Sequence, residues 1–215
     1  MPKLARLNAS QKDEVTKAYT CIWFNIIHGP PGTGKSKCLT VLLEAMAREG
    51  KRVLICAESN KPVDNLLAKF AKTDLFESMK NAWTIIRLGD KLNVDKDWKK
   101  LLLRHKLEFA ISQQNKPKKT SKAAKRGKND DRYHDNRDNG NARDKTVTLR
   151  ELGDITGLGR GHLKEKILNK AQFVFSTQCS IFERDTLEAF TKLQFDYAII
   201  DEASQSFSED RKSVV

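Results

Sequence analysis

An α/β fold, with a mostly parallel sheet covered by helices on both faces, is what this 215-residue sequence predicts. Three observations carry that expectation. Short apolar, β-rich runs alternate with longer amphipathic stretches, the pattern of strands buried on both sides. The first such run enters a glycine-rich loop, "GPPGTGKS" (29–36). The last ends on an acidic pair, Asp201-Glu202.

The elements follow in order. Residues 22–28, "IWFNIIH", read as a buried strand running into the glycine-rich loop. Residues 36–49 read as a helix apolar on most sides, with Arg48 in its last turn and Gly50 in the post-helix position. "RVLICA" (52–57) is a second strand. Pro62 fits the first turn of the next helix, whose Val63, Leu66, Leu67 and Phe70 fall on one face. "WTIIRLG" (83–89) is a third strand ended by Gly89, and "AQFVFST" (171–177) and "FDYAIID" (195–201) are a fourth and fifth. Residues 97–111 look helical, and helix resumes around "GHLKEKILNK". Between them, 112–147 is polar and nearly free of aliphatics, so it cannot bury enough surface to offset ordering entropy and is expected to be a loose or disordered insertion.

The net charge is +12, and more than half of it lies in one segment. Lys116 to Arg150 holds twelve Lys/Arg against five Asp. Such a stretch is either a salt-sensitive hold on a polyanion or a solvated basic spacer, and with Tyr133 as its one aromatic it is poorly suited to stacking on bases. Lys125-Arg126 is also compatible with nuclear import. The four cysteines are far apart and form neither a disulfide framework nor a zinc pattern, which fits a reducing intracellular compartment. The three tryptophans lie in or near apolar segments and are expected in the core. No apolar run approaches the length of a membrane span, and no signal core opens the chain.

"GPPGTGKS" matches G-x-x-x-x-G-K-[ST]. Gly29, Pro30, Pro31, Gly32, Thr33 and Gly34 let the backbone curl so that successive N–H groups face a phosphate, and the helix behind adds partial positive charge. Lys35 reaches the β and γ phosphates of ATP, and the Ser36 hydroxyl is a ligand for Mg²⁺. The bland alternative is a glycine-rich turn with no ligand. Asp201 sits where a strand end would hold Mg²⁺, often through water, and Glu202 where it would orient or deprotonate the attacking water. Alone, an acidic pair after a strand is by default a solvated strand end.

Together these stretches resemble superfamily 1 helicases, in the group of the nonsense-mediated-decay helicase, senataxin and the immunoglobulin mu-binding helicase. "LNASQ" (7–11) is similar to that group's Q motif, which implies that Gln11 recognises adenine. "HGPPGTGKS" matches motif I. "CAESNKPVDNLL" (56–67) resembles motif Ia, implying that Ser59 and Asn60 touch the nucleic-acid backbone, and "IIRLGD" (85–90) resembles the stretch that follows. "VFSTQC" (174–179) resembles motif Ic, with Thr177 a further strand contact. "IIDEASQ" (199–205) matches motif II, with Gln205 on the γ-phosphate side. The chain departs from the group at Glu58, at Lys61-Pro62 and at Ser36, which replaces the commoner Thr.

The resemblance implies a P-loop NTPase with a RecA-like sheet, incomplete at its C-terminus. Its first part is expected at 1–91, a helical and basic insertion at 92–170, a second part at 171–205, and a tail unlike the family at 206–215. The group's preceding β-barrel, its coupling motif III and its second RecA-like domain are missing from this sequence, and the strand carrying motif III would stand between the strand before the loop and the one ending at Asp201. The expected reaction is hydrolysis of ATP with Mg²⁺, coupled to single-stranded RNA or DNA, in the nucleus or the cytoplasm. In this chain alone Asp201 and Glu202 are expected to be poorly held, leaving it weakly active or unstable; the rival readings are a truncated nucleotide- or nucleic-acid-binding module without turnover and a small P-loop kinase, and the latter gives the Q motif and motif Ia no role.

Overall fold

The computed structural model describes residues 4–114, 157–181, 187, 190, and 191–204. The basic segment 116–150, its import-like pair, Gln205 and the tail 206–215 lie outside the described residues.

Among the described residues the sheet has four parallel strands: β1 (Val53–Ala57), β2 (Ile85–Arg87), β3 (Phe173–Thr177) and β4 (Tyr197–Asp201), in the order β2-β3-β1-β4. Two hydrophobic clusters flank it, and the strands feed them alternately, as a pleat requires. Val53, Ile55, Ile85, Phe173 and Phe175 join one cluster, whereas Ile86, Val174 and the partly buried Leu54 join the other.

The first cluster is covered by α1 (Ala9–Thr20), α2 (Lys35–Arg48), α3 (Asn60–Phe70) and α4 (Phe76–Asn81). Helix α2 is buried on most sides, from Cys38 to Met46, with even Glu44 only 1% exposed and paired with Arg48 at 3.4 Å. Gly50 follows it with φ +69°, the left-handed geometry that stops a helix. Val63, Leu66, Leu67 and Phe70 are all buried, so the apolar stripe of α3 faces the sheet as its spacing dictates. Burying each such side chain is worth about 1.5–3 kcal/mol, which outweighs propensity in deciding that this segment is a helix.

The second face is covered by α5 (Leu103–Gln114) and α6 (Arg160–Lys170), the helices at the two ends of the long polar stretch. The helix expected over 97–111 is divided: a 3-10 turn over Lys96–Leu101 precedes α5, because Leu102 adopts an extended conformation and bridges to Arg87 beside the sheet.

The structure corrects the first expected strand. Residues 22–28 carry no strand pairing among the described residues, and Ile22, Trp23, Phe24 and Ile26 are 65–95% exposed. The sequence pattern marks an apolar segment, but a strand forms only where a neighbour satisfies its backbone groups. The outer side of β4 is unpaired among the described residues, and Ile200 there is 53% exposed. Trp23 is therefore outside the core, whereas Trp83 is buried and Trp98 packs against the first cluster. Helix α1 has no counterpart in the periodicity, since Val15 is its one buried residue.

Cys38 and Cys56 are core thiols, and burial pushes both up, Cys56 to about 12, which disfavours the nucleophilic thiolate. No helix among the described residues is long and apolar enough to cross a membrane.

Candidate nucleotide site

The loop before α2 has the backbone its glycines demand. Gly32 and Gly34 lie in the left-handed region, with φ +82° and +91°. A side chain at Gly34 would be strained, and its Cβ would meet Gln11 Nε2 at 2.7 Å. Thr33 pins the turn: its hydroxyl donates to the Pro30 carbonyl at 2.8 Å. Helix α2 then starts at Lys35, and the first N–H groups of such a helix have no intrahelical acceptor. They give the loop its partial positive charge.

Lys35 folds back over this loop. Its ammonium donates to the carbonyls of Gly29 and, at 3.0 Å, Pro30. The cation is thus held at the mouth of the loop, with acceptors that phosphate oxygens can replace. Ser36, half-buried, is the next residue along α2.

Gln11 reaches the loop from α1. Asn8 caps that helix, accepting from Gln11 N at 2.8 Å, while Gln11 Oε1 accepts from Asn8 N at 3.2 Å, a reciprocal capping box. The other end of the same carboxamide donates to the Thr33 carbonyl at 2.9 Å. Beside the loop opens a cavity of about 500 Å³, whose walls include Arg6, Gly34, Lys35, Thr40, Lys69 and Lys72. Arg6, Lys69 and Lys72 are cationic wall residues that sequence reasoning missed; they come from two separate segments, before α1 and at the end of α3, and no motif links them.

The acidic pair stands at the carboxyl end of β4. Ala57 pairs with Thr177 on one side and with Asp201 on the other, so the ends of β1, β3 and β4 lie in one row. Open parallel sheets present ligand-binding loops at that end. Asp201 is half-buried and accepts from the backbone N–H of Glu202 at 3.1 Å. Glu202 has φ +54°, a sharp turn off the strand that leaves its side chain exposed.

The proposed strand contacts extend from the same end. Ser59 is exposed and caps α3 without a side-chain hydrogen bond. Asn60, half-buried, accepts from Arg87 Nη2 at 2.8 Å. Thr177 is 5% exposed, and its hydroxyl is engaged with Ser180 Oγ at 2.8 Å at the start of the short helix α7 (Gln178–Ile181). Ser59 is thus at the surface, Asn60 half-buried next to it, and Thr177 buried. Sequence reasoning did not anticipate that Arg87 holds Asn60; a basic residue closing an apolar strand, "IIR", was the available signal.

Comparison with known proteins gives the chain its relatives. Residues 6–209 match the family described as an AAA domain. The chain is 38% identical over 69 residues, 32% of its length, to DNA polymerase alpha-associated DNA helicase A of Schizosaccharomyces pombe, covering 10% of that protein. It is 27% identical to the mouse (Mus musculus) DNA-binding protein SMUBP-2 over 93% of this chain and 19% of that protein. A third relative, the regulator of nonsense transcripts 1 homolog of Arabidopsis thaliana, is 42% identical over 76 residues, 35% of this chain and 6% of its own length. The chain thus spans less than a fifth of each of these relatives. With a glycine-rich loop of the phosphate-binding type, an acidic pair closing a parallel strand and a family match over nearly its whole length, the chain belongs to the AAA domain family, in the superfamily 1 helicase group that includes SMUBP-2 and the regulator of nonsense transcripts 1.

Proposed function

We propose that this chain is a helicase-type ATPase unit that binds and hydrolyses ATP with Mg²⁺ and couples the reaction to a single strand of RNA or DNA. The observation that supports it best is the pairing of a preformed phosphate loop, left-handed at Gly32 and Gly34, with Asp201 in the end row of the sheet. The division of labour follows from chemistry. Gly29 to Gly34 cradle the phosphates with N–H groups, and Lys35 leaves its carbonyl partners for the β and γ phosphate oxygens. Gln11 contacts the adenine from α1, and Gln205 the γ-phosphate side. Ser36 and Asp201 offer Mg²⁺ a hydroxyl and a carboxylate, the hard-oxygen, low-count donor set that this ion prefers because it keeps its waters. The ion neutralises charge on the phosphates; Glu202, on its exposed turn, orients or deprotonates the attacking water.

Ser59 and Asn60 hold the strand backbone, and Thr177 supports that surface from beneath. A sheet built from 1–91 and 171–205 then carries both sites, and 92–170 supplies an insertion whose helical ends cover one face. The names of the relatives, DNA helicase and DNA-binding protein among them, support a nucleic-acid partner and an intracellular, nuclear or cytoplasmic setting. A second reading, binding without turnover, is favoured by one observation: the outer side of β4, which carries Asp201, is unpaired among the described residues.

Steady-state ATP hydrolysis with and without oligo-uridine or oligo-deoxythymidine separates the two readings. Turnover that rises with the strand, disappears in Lys35→Ala and falls by about 10²-fold or more in Glu202→Gln is expected of the enzyme. Nucleotide binding with no turnover supports the binding module, and undiminished nucleotide binding by Lys35→Ala removes the phosphate-site assignment itself.

A further inference from the structure

Arg87 ends β2 and is 0% exposed. A guanidinium has five N–H donors and no acceptor, so complete burial is tolerated only where acceptors converge on it. Here they do. Nε donates to Asp64 Oδ1 at 2.9 Å, Nη2 to Asn60 Oδ1 at 2.8 Å, and Nη1 to the Leu88 carbonyl. Asp64 is held in turn, its second oxygen accepting from the backbone N–H of Asp95 at 3.1 Å. Gly89 closes over the group with φ +135°; a Cβ there would lie 3.5 Å from Arg87 Nη1 and 3.6 Å from Asn60 Oδ1.

The consequence falls on Asn60. An arginine only donates, so the carboxamide must turn its oxygen toward Arg87, and the NH₂ is the end left over. No hydrogen bond joins that NH₂ to any described residue. It stands in the first turn of α3, next to the exposed Ser59.

We infer that Arg87, backed by Asp64, is a positioning residue for nucleic-acid binding: it locks the Asn60 carboxamide oxygen-inward, so that the NH₂ is offered as a donor to a phosphate oxygen of the strand. This rests on the reading, given above, of the first turn of α3 as a strand contact. A contact to phosphate ignores the 2′-hydroxyl, so it holds RNA and DNA alike.

The test is the affinity of the 215-residue chain for fluorescein-labelled oligo-uridine and oligo-deoxythymidine of equal length, by anisotropy, with melting curves in parallel. Asn60→Ala removes the donor. Arg87→Lys keeps the charge opposite Asp64 but not the fork that also spans to Asn60. Each is expected to weaken binding about fivefold for both oligonucleotides, and the double variant to bind no more weakly than Asn60→Ala alone, because Arg87 acts through Asn60. Asn60→Asp keeps an acceptor for Arg87, so it folds, but turns an oxygen toward the strand; a loss of about tenfold with an undiminished melting temperature is expected.

Wild-type affinity in Arg87→Lys beside a loss in Asn60→Ala overturns the positioning role and leaves the strand contact standing, and so do losses that multiply in the double variant. Wild-type affinity in both Asn60→Ala and Asn60→Asp overturns the contact and the positioning role together. Should Arg87→Lys not fold, Asn60→Asp decides: full affinity with an unchanged melt overturns the proposal.

Discussion

Both ends of the Gln11 carboxamide are occupied, the oxygen by the Asn8 N–H and the nitrogen by the Thr33 carbonyl. The NH₂ keeps a second N–H and the oxygen a second lone pair, so the adenine contact proposed for Gln11 can be added without breaking either bond. Gln11→Glu separates the two ends. It keeps an acceptor for Asn8 but loses the donor to Thr33, so a fluorescent-nucleotide titration is expected to show about tenfold weaker binding with a nearly unchanged melt. Gln11→Ala loses both ends and is expected to lower stability by about 0.5–1 kcal/mol as well, read from the urea midpoint. The glycine loop was legible because its residue types state their backbone geometry outright. The Gln11 bridge was not, because it spans 22 positions and no local spacing encodes it. Yet "NASQ" is a capping-box signature, and it marks the start of α1, which the sparse apolar pattern hides.

Strands β1 to β4 and the buried face of α3 were legible as elements, since runs of β-branched and aromatic residues and an i, i+3, i+4, i+7 stripe each have one economical packing. Residues 22–28 satisfied the same criterion and failed it in the structure, because composition reports what a strand is made of and says nothing about whether a neighbour pairs with it. Helix α5 holds a second departure from pattern, a buried lysine. Lys106 is 4% exposed, with its ammonium 4.9 Å from the Trp83 ring centre. Burial foremost, then the charges of Lys170 and Lys80, push its pKa down from 10.5 to about 7, against the attraction of the ring. Between about pH 7 and 10.5 the unfolded chain therefore holds a proton here that the folded chain does not. This contribution to stability is lost as pH falls through that window and grows as pH rises. Lys106→Met is expected to raise stability at pH 7 by about 1–3 kcal/mol and to flatten the rise between pH 7 and 9, measured as urea midpoints across that range.

Among the described residues, the apolar segment Ile22–Ile26 and the open side of β4 combine the two features that draw chains together, uncovered hydrophobic surface and unpaired strand edge. A net charge of +12 opposes that association. Screening shortens from about 10 Å at 0.1 M salt to about 3 Å at 1 M, so light scattering is expected to show oligomers growing with salt, and Trp23→Lys or Ile200→Lys to suppress them. Chains that stay monomeric at 1 M salt without those changes would contradict this account. The row formed by Ala57, Thr177 and Asp201 sets a mechanical limit of another kind. Hydrogen-bonded parallel strands do not slide past one another without breaking a whole ladder, so the Asp201 end of β4 and the Thr177 end of β3 cannot shift relative to each other through the sheet. On the function proposed above, a displacement driven by hydrolysis carries these three strands as one rigid plate.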